Sequence, residues 1–298
     1  MLGRKESCVL CDVPLSQSIP ELDGYRTCRV CDVTWYADDP NDGASEQYNS
    51  KEGWDEDYYA DSKTFALHAS RQSAFDTIAA RLSAIYPARG RLLDVGAGIG
   101  MLMQAAHKHG WQVEGIEPSK QAVEWARKLS GGIIHKGFLG EVDLPEGQYD
   151  AVTMVDVLLH ISEPLPFLLA ARRLVRPGGI LMIREVNRAI ERHARVVQQW
   201  LKGNQRSRSS GAKRQVFQYQ GFTPRSFRYA LQKVGFGEQW VEPSPIFVEA
   251  MPGDPLMIPL ARRGLSLTCA LLYALSGRRL IASPNLLAFG RVARQGAE

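Results

Sequence analysis

The chain lacks any apolar run long enough to cross a bilayer. Its longest uncharged apolar stretch, residues 264–277, falls short of the roughly 20 residues that a spanning helix needs. No apolar segment follows the opening Met-Leu-Gly-Arg-Lys-Glu, so no secretory signal is expected. Cysteine is scarce, at five in 298 residues, and the odd count does not suit a secreted disulfide framework. A cytoplasmic setting with reduced thiols is the expectation. Internal repeats and heptads are absent too. With 45% apolar and 23% charged residues, disordered and collagen-like chains are excluded.

Charge is unevenly placed. Residues 1–187 carry 19 Lys/Arg against 26 Asp/Glu, and residues 188–298 carry 17 against 6. The net values, −7 and +11, sum to the +4 of the whole chain. An acidic front and a basic rear suit an anionic partner at the C-terminal side, such as a membrane surface, a phosphorylated substrate or a nucleic acid. Solvated arginine-rich helices are the plainer explanation.

Four of the five cysteines form two knuckles. Cys8-x-x-Cys11 and Cys28-x-x-Cys31 lie 16 residues apart, a spacing that suits one tetrahedral zinc ion. A thioredoxin-like redox pair would sit after a strand in a βαβ unit and would not be doubled. Four protein ligands leave no open position, so the zinc is expected to be structural. Residues 1–36 thus read as a zinc ribbon. Residues 37–62 interleave nine acids with Tyr48, Trp54, Tyr58 and Tyr59, and read as a linker or lid. Residues 62–85 have helical spacing. Cys269 reads as a buried, inert thiol.

The centre alternates short apolar strands with helices. Strands are expected at 91–95, 112–116, 132–135, 149–155 and 180–184, with helices at 101–109, 118–129 and 164–175. That order gives a parallel, doubly wound α/β sheet with its ligand crevice at the carboxyl ends of the strands. The turn after the first strand carries Gly96, Gly98 and Gly100, one residue tighter than a pyrophosphate-binding turn. Asp94 precedes it, and Glu117 ends the second strand. A carboxylate there suits the two hydroxyls of a ribose. These residues describe a nucleoside without a diphosphate.

Leu92-Leu-Asp-Val-Gly-Ala-Gly-Ile-Gly100 resembles the first motif of class I S-adenosylmethionine-dependent methyltransferases. Gly115-Ile-Glu-Pro-Ser119 resembles the second, residues 148–164 the fourth-strand motif, and Leu174-Val-Arg-Pro-Gly-Gly-Ile-Leu181 the turn before the fifth strand. The resemblance implies a seven-stranded, mostly parallel, Rossmann-like sheet within residues 63–298. It also implies a helix at 223–235, a strand at 236–241, a helical cap insertion at 243–284 and a last strand at 286–292. The leading ribbon resembles that of members acting on sugars, lipid-linked glycans or small metabolites.

By that resemblance, Gly96, Ala97, Gly98 and Gly100 approach the cofactor, S-adenosylmethionine, through their backbone. Asp94 holds the loop and Glu117 takes the ribose. Ile116, Pro118, Phe138 and Leu139 flank the adenine, although the third strand lacks the usual following Asp. Asp156 faces the methionine end. Methyl transfer to oxygen needs alignment and removal of a proton. His160 is the first candidate base and Glu185 the second; His160 capping a loop is the alternative.

The C-terminal third sets the acceptor. Arg206, Arg208, Lys213 and Arg214 lie in a basic loop. An apolar helix at 265–275 is bracketed by Arg262-Arg263 and Arg278-Arg279, and either touches a membrane or packs over the site as a core helix. The leading expectation is methyl transfer to an oxygen, less readily a nitrogen, of a sugar, lipid-linked glycan or small metabolite. An RNA methyltransferase docking through ribbon and basic rear is the alternative, although the ribbon's own arginines are offset by acids. A non-catalytic cofactor-binding module is the third reading.

Overall fold

The computed structural model describes residues 6–21, 24–37, 71–194, 218–246 and 257–294. The acidic-aromatic segment, the first part of the helix expected over 62–85 and the basic loop with Arg206, Arg208, Lys213 and Arg214 lie outside the described residues.

Apolar strands that must be covered on both faces form the centre. These are β4 (Arg91–Val95), β5 (Gln112–Glu117), β6 (Ile133–Lys136), β7 (Tyr149–Val155) and β8 (Val175–Val186), closed by β10 (Glu238–Pro243) and β11 (Asn285–Arg291). Their spatial order is β10-β11-β8-β7-β4-β5-β6, and only β11 runs against its neighbours. Helices α1 (Gln72–Ile85), α2 (Met101–Lys108), α3 (Lys120–Leu129), α4 (Pro164–Leu174) and α5 (Pro224–Lys233) flank this sheet. The strand order reverses at β4, so the ligand crevice opens at the carboxyl ends of β4 and β7.

Several boundaries differ from the sequence reading. α3 begins at Lys120 rather than 118 because Ser119 caps it, its hydroxyl accepting from the Ala122 amide at 3.3 Å. β8 begins at Val175, five residues early, with a register shift against β7 that absorbs the Pro177-Gly178-Gly179 turn. The last helix, α6 (Met257–Leu275), starts eight residues before the expected 265. Pro259 falls in its first turn, where no amide is needed. Arg262 and Arg263 are therefore inside the helix and do not bracket it. α6 is also no core helix, since most of its described side chains face solvent.

The N-terminal ribbon pairs β1 (Ser18–Pro20), β2 (Tyr25–Cys28) and β3 (Thr34–Tyr36) antiparallel. A fourth strand, β9 (Gln220–Gly221), comes from far along the chain and pairs with β3. Ribbon and main sheet share one apolar core. α5 carries the contact: Lys233 Nζ donates to the Leu10 carbonyl at 2.6 Å, and Arg225 donates to the Val30 carbonyl at 2.6 Å. Beneath, Phe222 and Phe227 stack with centroids 4.6 Å apart, both fully buried. Phe227→Ala should cost about 3–5 kcal/mol, read as a lower urea midpoint; a loss under 1 kcal/mol would show that the stack does not anchor α5.

Candidate functional site

The site is built at the carboxyl edge of β4, β5 and β7. Val95 leads into a loop whose three glycines all have left-handed backbone: Gly96 φ 71°, Gly98 φ 53° and Gly100 φ 84°. A Cβ on Gly96 would lie 2.5 Å from the Val157 side chain, so only glycine fits there. The Ile116 carbonyl accepts from both the Gly96 amide at 2.8 Å and the Ala97 amide at 3.0 Å. The loop is thus hung from β5, with bare backbone facing the crevice.

Glu117 sits at the end of β5 and is 4% exposed. One carboxylate oxygen accepts from the Gly98 amide at 2.8 Å and the other from the Ser119 amide at 3.0 Å. A carboxylate oxygen can accept more than one hydrogen bond. The Glu117 carbonyl takes the Gly137 amide at 3.1 Å, which places half-buried Phe138 and Leu139 beside it. Ile116 is buried and Pro118 half-buried on the same edge. Asp94 lies beneath the loop, accepting from Thr153 Oγ1 at 2.7 Å. Burial pushes its carboxyl up to about 7, against the Thr153 bond, and the charge of Glu117 adds to the rise.

The second wall comes from β7, β8 and the turn after β7. Asp156 has a left-handed backbone, φ 56°, and its carboxylate pairs with the Arg184 guanidinium. Arg184 was not singled out from the sequence; the signal was a charged pair, Arg184-Glu185, closing an apolar strand. His160 ends a one-turn 3-10 helix (Leu158–His160) and is half-buried. Glu185 lies behind that turn, 1% exposed, with one oxygen accepting from the Leu159 amide at 3.2 Å. Its other oxygen is buried without a hydrogen-bond partner. Burial, reinforced by the Asp156 charge, holds its carboxyl well above the usual range.

The ribbon grips this turn, which the sequence did not show. The Tyr219 amide donates to the Leu159 carbonyl at 2.8 Å, and Gln220 donates to the Ile161 carbonyl. The Tyr36 amide of β3 donates in turn to the Tyr219 carbonyl at 2.8 Å. Buried Arg188 bridges Glu21 of the ribbon at 2.8 Å and Glu191 at 2.9 Å.

Within the ribbon, the ligand atoms of Cys8, Cys11, Cys28 and Cys31 lie within 4.8 Å of one another. Two pairs are close: Cys8 to Cys31 at 3.5 Å, and Cys11 to Cys28 at 3.4 Å. A zinc ion about 2.3 Å from each would set sulfurs about 3.8 Å apart, so the quartet fits such an ion. Hydrogen bonding from Cys31 pulls the Cys8 thiol down to about 5, while giving that bond, with burial, raises Cys31. Burial also lifts Cys11 to about 12. Thiols that compete for charge in this way are reconciled by a divalent cation, which takes all four as thiolates.

Residues 67–237, more than half of the chain, match a family described as a methyltransferase domain. The chain belongs to that family. It is 33% identical over 141 residues to the ubiquinone biosynthesis O-methyltransferase of Xanthomonas axonopodis pv. citri (strain 306), covering 45% of this chain and 56% of that protein. It is 35% identical over 104 residues to the protein of the same name from Alkalilimnicola ehrlichii, covering 33% and 42%. The chain thus spans about half the length of the curated relatives it matches. Among solved structures, the plantazolicin methyltransferase BpumL in complex with S-adenosylhomocysteine aligns over 84% of this chain and 94% of its own, with TM-score 0.50 and 15% identity. That likeness shows the fold alone.

Asp94 and Glu185 both have folded-state pKa values above those of the unfolded chain. The folded state therefore holds more protons, and their contribution to stability falls as pH rises above about 4. For Asp94 the loss is complete above its value of about 7. Glu185→Gln should flatten the decline in melting temperature between pH 5 and pH 7, read as the difference from the parent so that other groups cancel. An identical slope in the variant would refute the ionisation penalty at Glu185.

Proposed function

We propose that this protein transfers a methyl group from S-adenosylmethionine to a hydroxyl oxygen of a small-molecule acceptor. The observation that carries this is the Glu117 carboxylate, buried at the end of β5, with one oxygen on the glycine loop and the other on the start of α3. The donor set fits a nucleoside: carboxylate for ribose hydroxyls, bare glycine backbone for close approach, and Ile116, Pro118, Phe138 and Leu139 for a flat ring. Bound there, S-adenosylmethionine supplies an electrophilic methyl group carried on sulfur.

The chain's own residues do the rest. Asp94 and Glu117 fix the loop. Asp156, neutralised by Arg184, closes the far wall without leaving a bare charge. His160 accepts the acceptor's hydroxyl proton, a role that suits an imidazole near neutral pH. Glu185, 1% exposed behind the His160 turn, is too deeply buried to share it. Its part is to hold the Leu159 amide and so the His160 turn. Oxygen as the atom, and a small apolar metabolite as acceptor, are supported by the name borne by the Xanthomonas and Alkalilimnicola relatives. A sugar or lipid-linked acceptor shares the same hydroxyl chemistry. Four-thiolate zinc belongs to the ribbon, where it holds structure and takes no part in transfer.

Incubation with methyl-labelled S-adenosylmethionine and a cell extract, followed by phase separation, tests the reading. Label should enter the small-molecule or organic-soluble fraction and not RNA. Glu117→Ala should abolish measurable cofactor binding by calorimetry. His160→Ala should leave that binding intact and lower turnover by about 100- to 10,000-fold. Full turnover in the His160 variant would remove it as base, and label in RNA would replace the acceptor class. Elemental analysis should find about one zinc per chain. Chelation should lower turnover more than cofactor affinity, because the ribbon grips the His160 turn and not the glycine loop; metal-free protein of full activity would overturn the assignment.

A further inference from the structure

Helix α6 rests on the body along one narrow line. Arg262, Ser266, Cys269 and Tyr273, spaced four, three and four residues apart, are the described side chains in it that are not exposed. The Cys269 thiol donates to the Ala282 carbonyl at 3.5 Å, and Tyr273 packs against the main core. The rest of the helix turns outward. Met257, Leu260, Leu267, Leu271 and Leu275 are between 59% and 84% exposed, with Leu265 and Leu272 beside them. A contiguous apolar face of this kind marks an interaction surface.

The charges within the helix and just after it are of one sign. No Asp or Glu occurs between Asp254 and Glu298, whereas six arginines do. Arg263, Arg278 and Arg279 are exposed, one near the start of the helix and two just past its end. Topology sets where this surface lies. The chain leaves β10 at Pro243 and re-enters the sheet at Asn285, which pairs with Val186 at the carboxyl end of β8. α6 therefore rises from the same edge of the sheet as the glycine loop, Glu185 and His160. Among the described residues, no helix is long and apolar enough to cross a membrane.

We propose that α6 lies in the surface of an anionic lipid bilayer, its leucine face among the acyl chains and its flanking arginines on lipid phosphates. Apolar burial supplies the binding and the arginines the preference for anionic lipid. A second copy of the chain fits less well, because antiparallel pairing of two such helices would set arginine against arginine with no acid between them. Seated this way, the carboxyl edge of the sheet faces the bilayer. The surface stands on α6 alone and does not depend on the methyl-transfer reading.

Flotation of the full-length protein with vesicles tests this without cofactor or acceptor. The protein should float with vesicles containing phosphatidylglycerol and much less with phosphatidylcholine alone. Arg278→Ala/Arg279→Ala should weaken partition by about fivefold per arginine. Leu267→Asp/Leu271→Asp should abolish it. All four positions are exposed, and an unchanged melting temperature with zinc retained confirms the fold. Equal partition onto both vesicle types, partition that survives the aspartates, or a concentration-dependent dimer in sedimentation that the aspartates disperse would each overturn the proposal.

Discussion

The carboxyl end of β5 is the constraint on which the cofactor site depends. Ile116 and Glu117 bind the backbone of three separate segments: the glycine loop after β4, the start of α3 and the turn after β6. A buried carboxylate would be costly alone, but two backbone amides satisfy it here. The same amides also hold Gly98 in a left-handed backbone before any ligand arrives. A ligand then meets a floor already in place, and little ordering remains to oppose binding. Asp94, pushed toward neutrality by burial and by Glu117 itself, avoids setting a second full negative charge beside the first.

A second dependence runs from the ribbon. Its sheet does not stop at β3 but continues through β9 into the 158–161 turn that carries His160. The ribbon is therefore part of the support of the His160 turn. Both knuckles close on an aspartate of left-handed backbone, Asp12 at φ 60° and Asp32 at φ 63°, and both rest on α5. A metal that fixes the knuckles fixes α5 and β9 with them. The cofactor loop, reached from β5, is outside this chain of contacts.

Local patterns showed the central strands, the glycine loop and the knuckles in advance, because strand period, left-handed glycine and Cys-x-x-Cys spacing are each written in neighbouring residues. What was not legible depends on distant pairing. Nothing near Gln220 announces that two residues will extend a ribbon nearly two hundred positions earlier. Arg184 in an apolar strand was visible as an oddity, but its pairing with Asp156 required the sheet register. Glu185 looked like a second base because it follows a strand; that the fold buries it behind Leu159 was not visible. α6 was placed in part, since its leucines were plain, but its early start past Pro259 and its exposure were not.

The charge asymmetry of the chain also resolves in three dimensions. Arg188 and Arg192, at the start of the basic rear, pair with Glu21 and Asp32 of the acidic front. Those bridges join ribbon to catalytic domain, and they use acids that would otherwise repel a polyanion or an acidic surface. Arg81 and Glu242 pair at 2.7 Å in the opposite sense, the acid coming from the rear. Part of the asymmetry is thus internal cross-linking. What remains is concentrated where no acid follows in sequence, around α6, where Glu238 still offsets Arg291 at 3.2 Å but no acid lies within the helix or the turn after it. Positive charge that the fold leaves unspent sits next to the apolar surface it leaves uncovered. One anionic, apolar phase would satisfy both at once, on the carboxyl edge of the sheet.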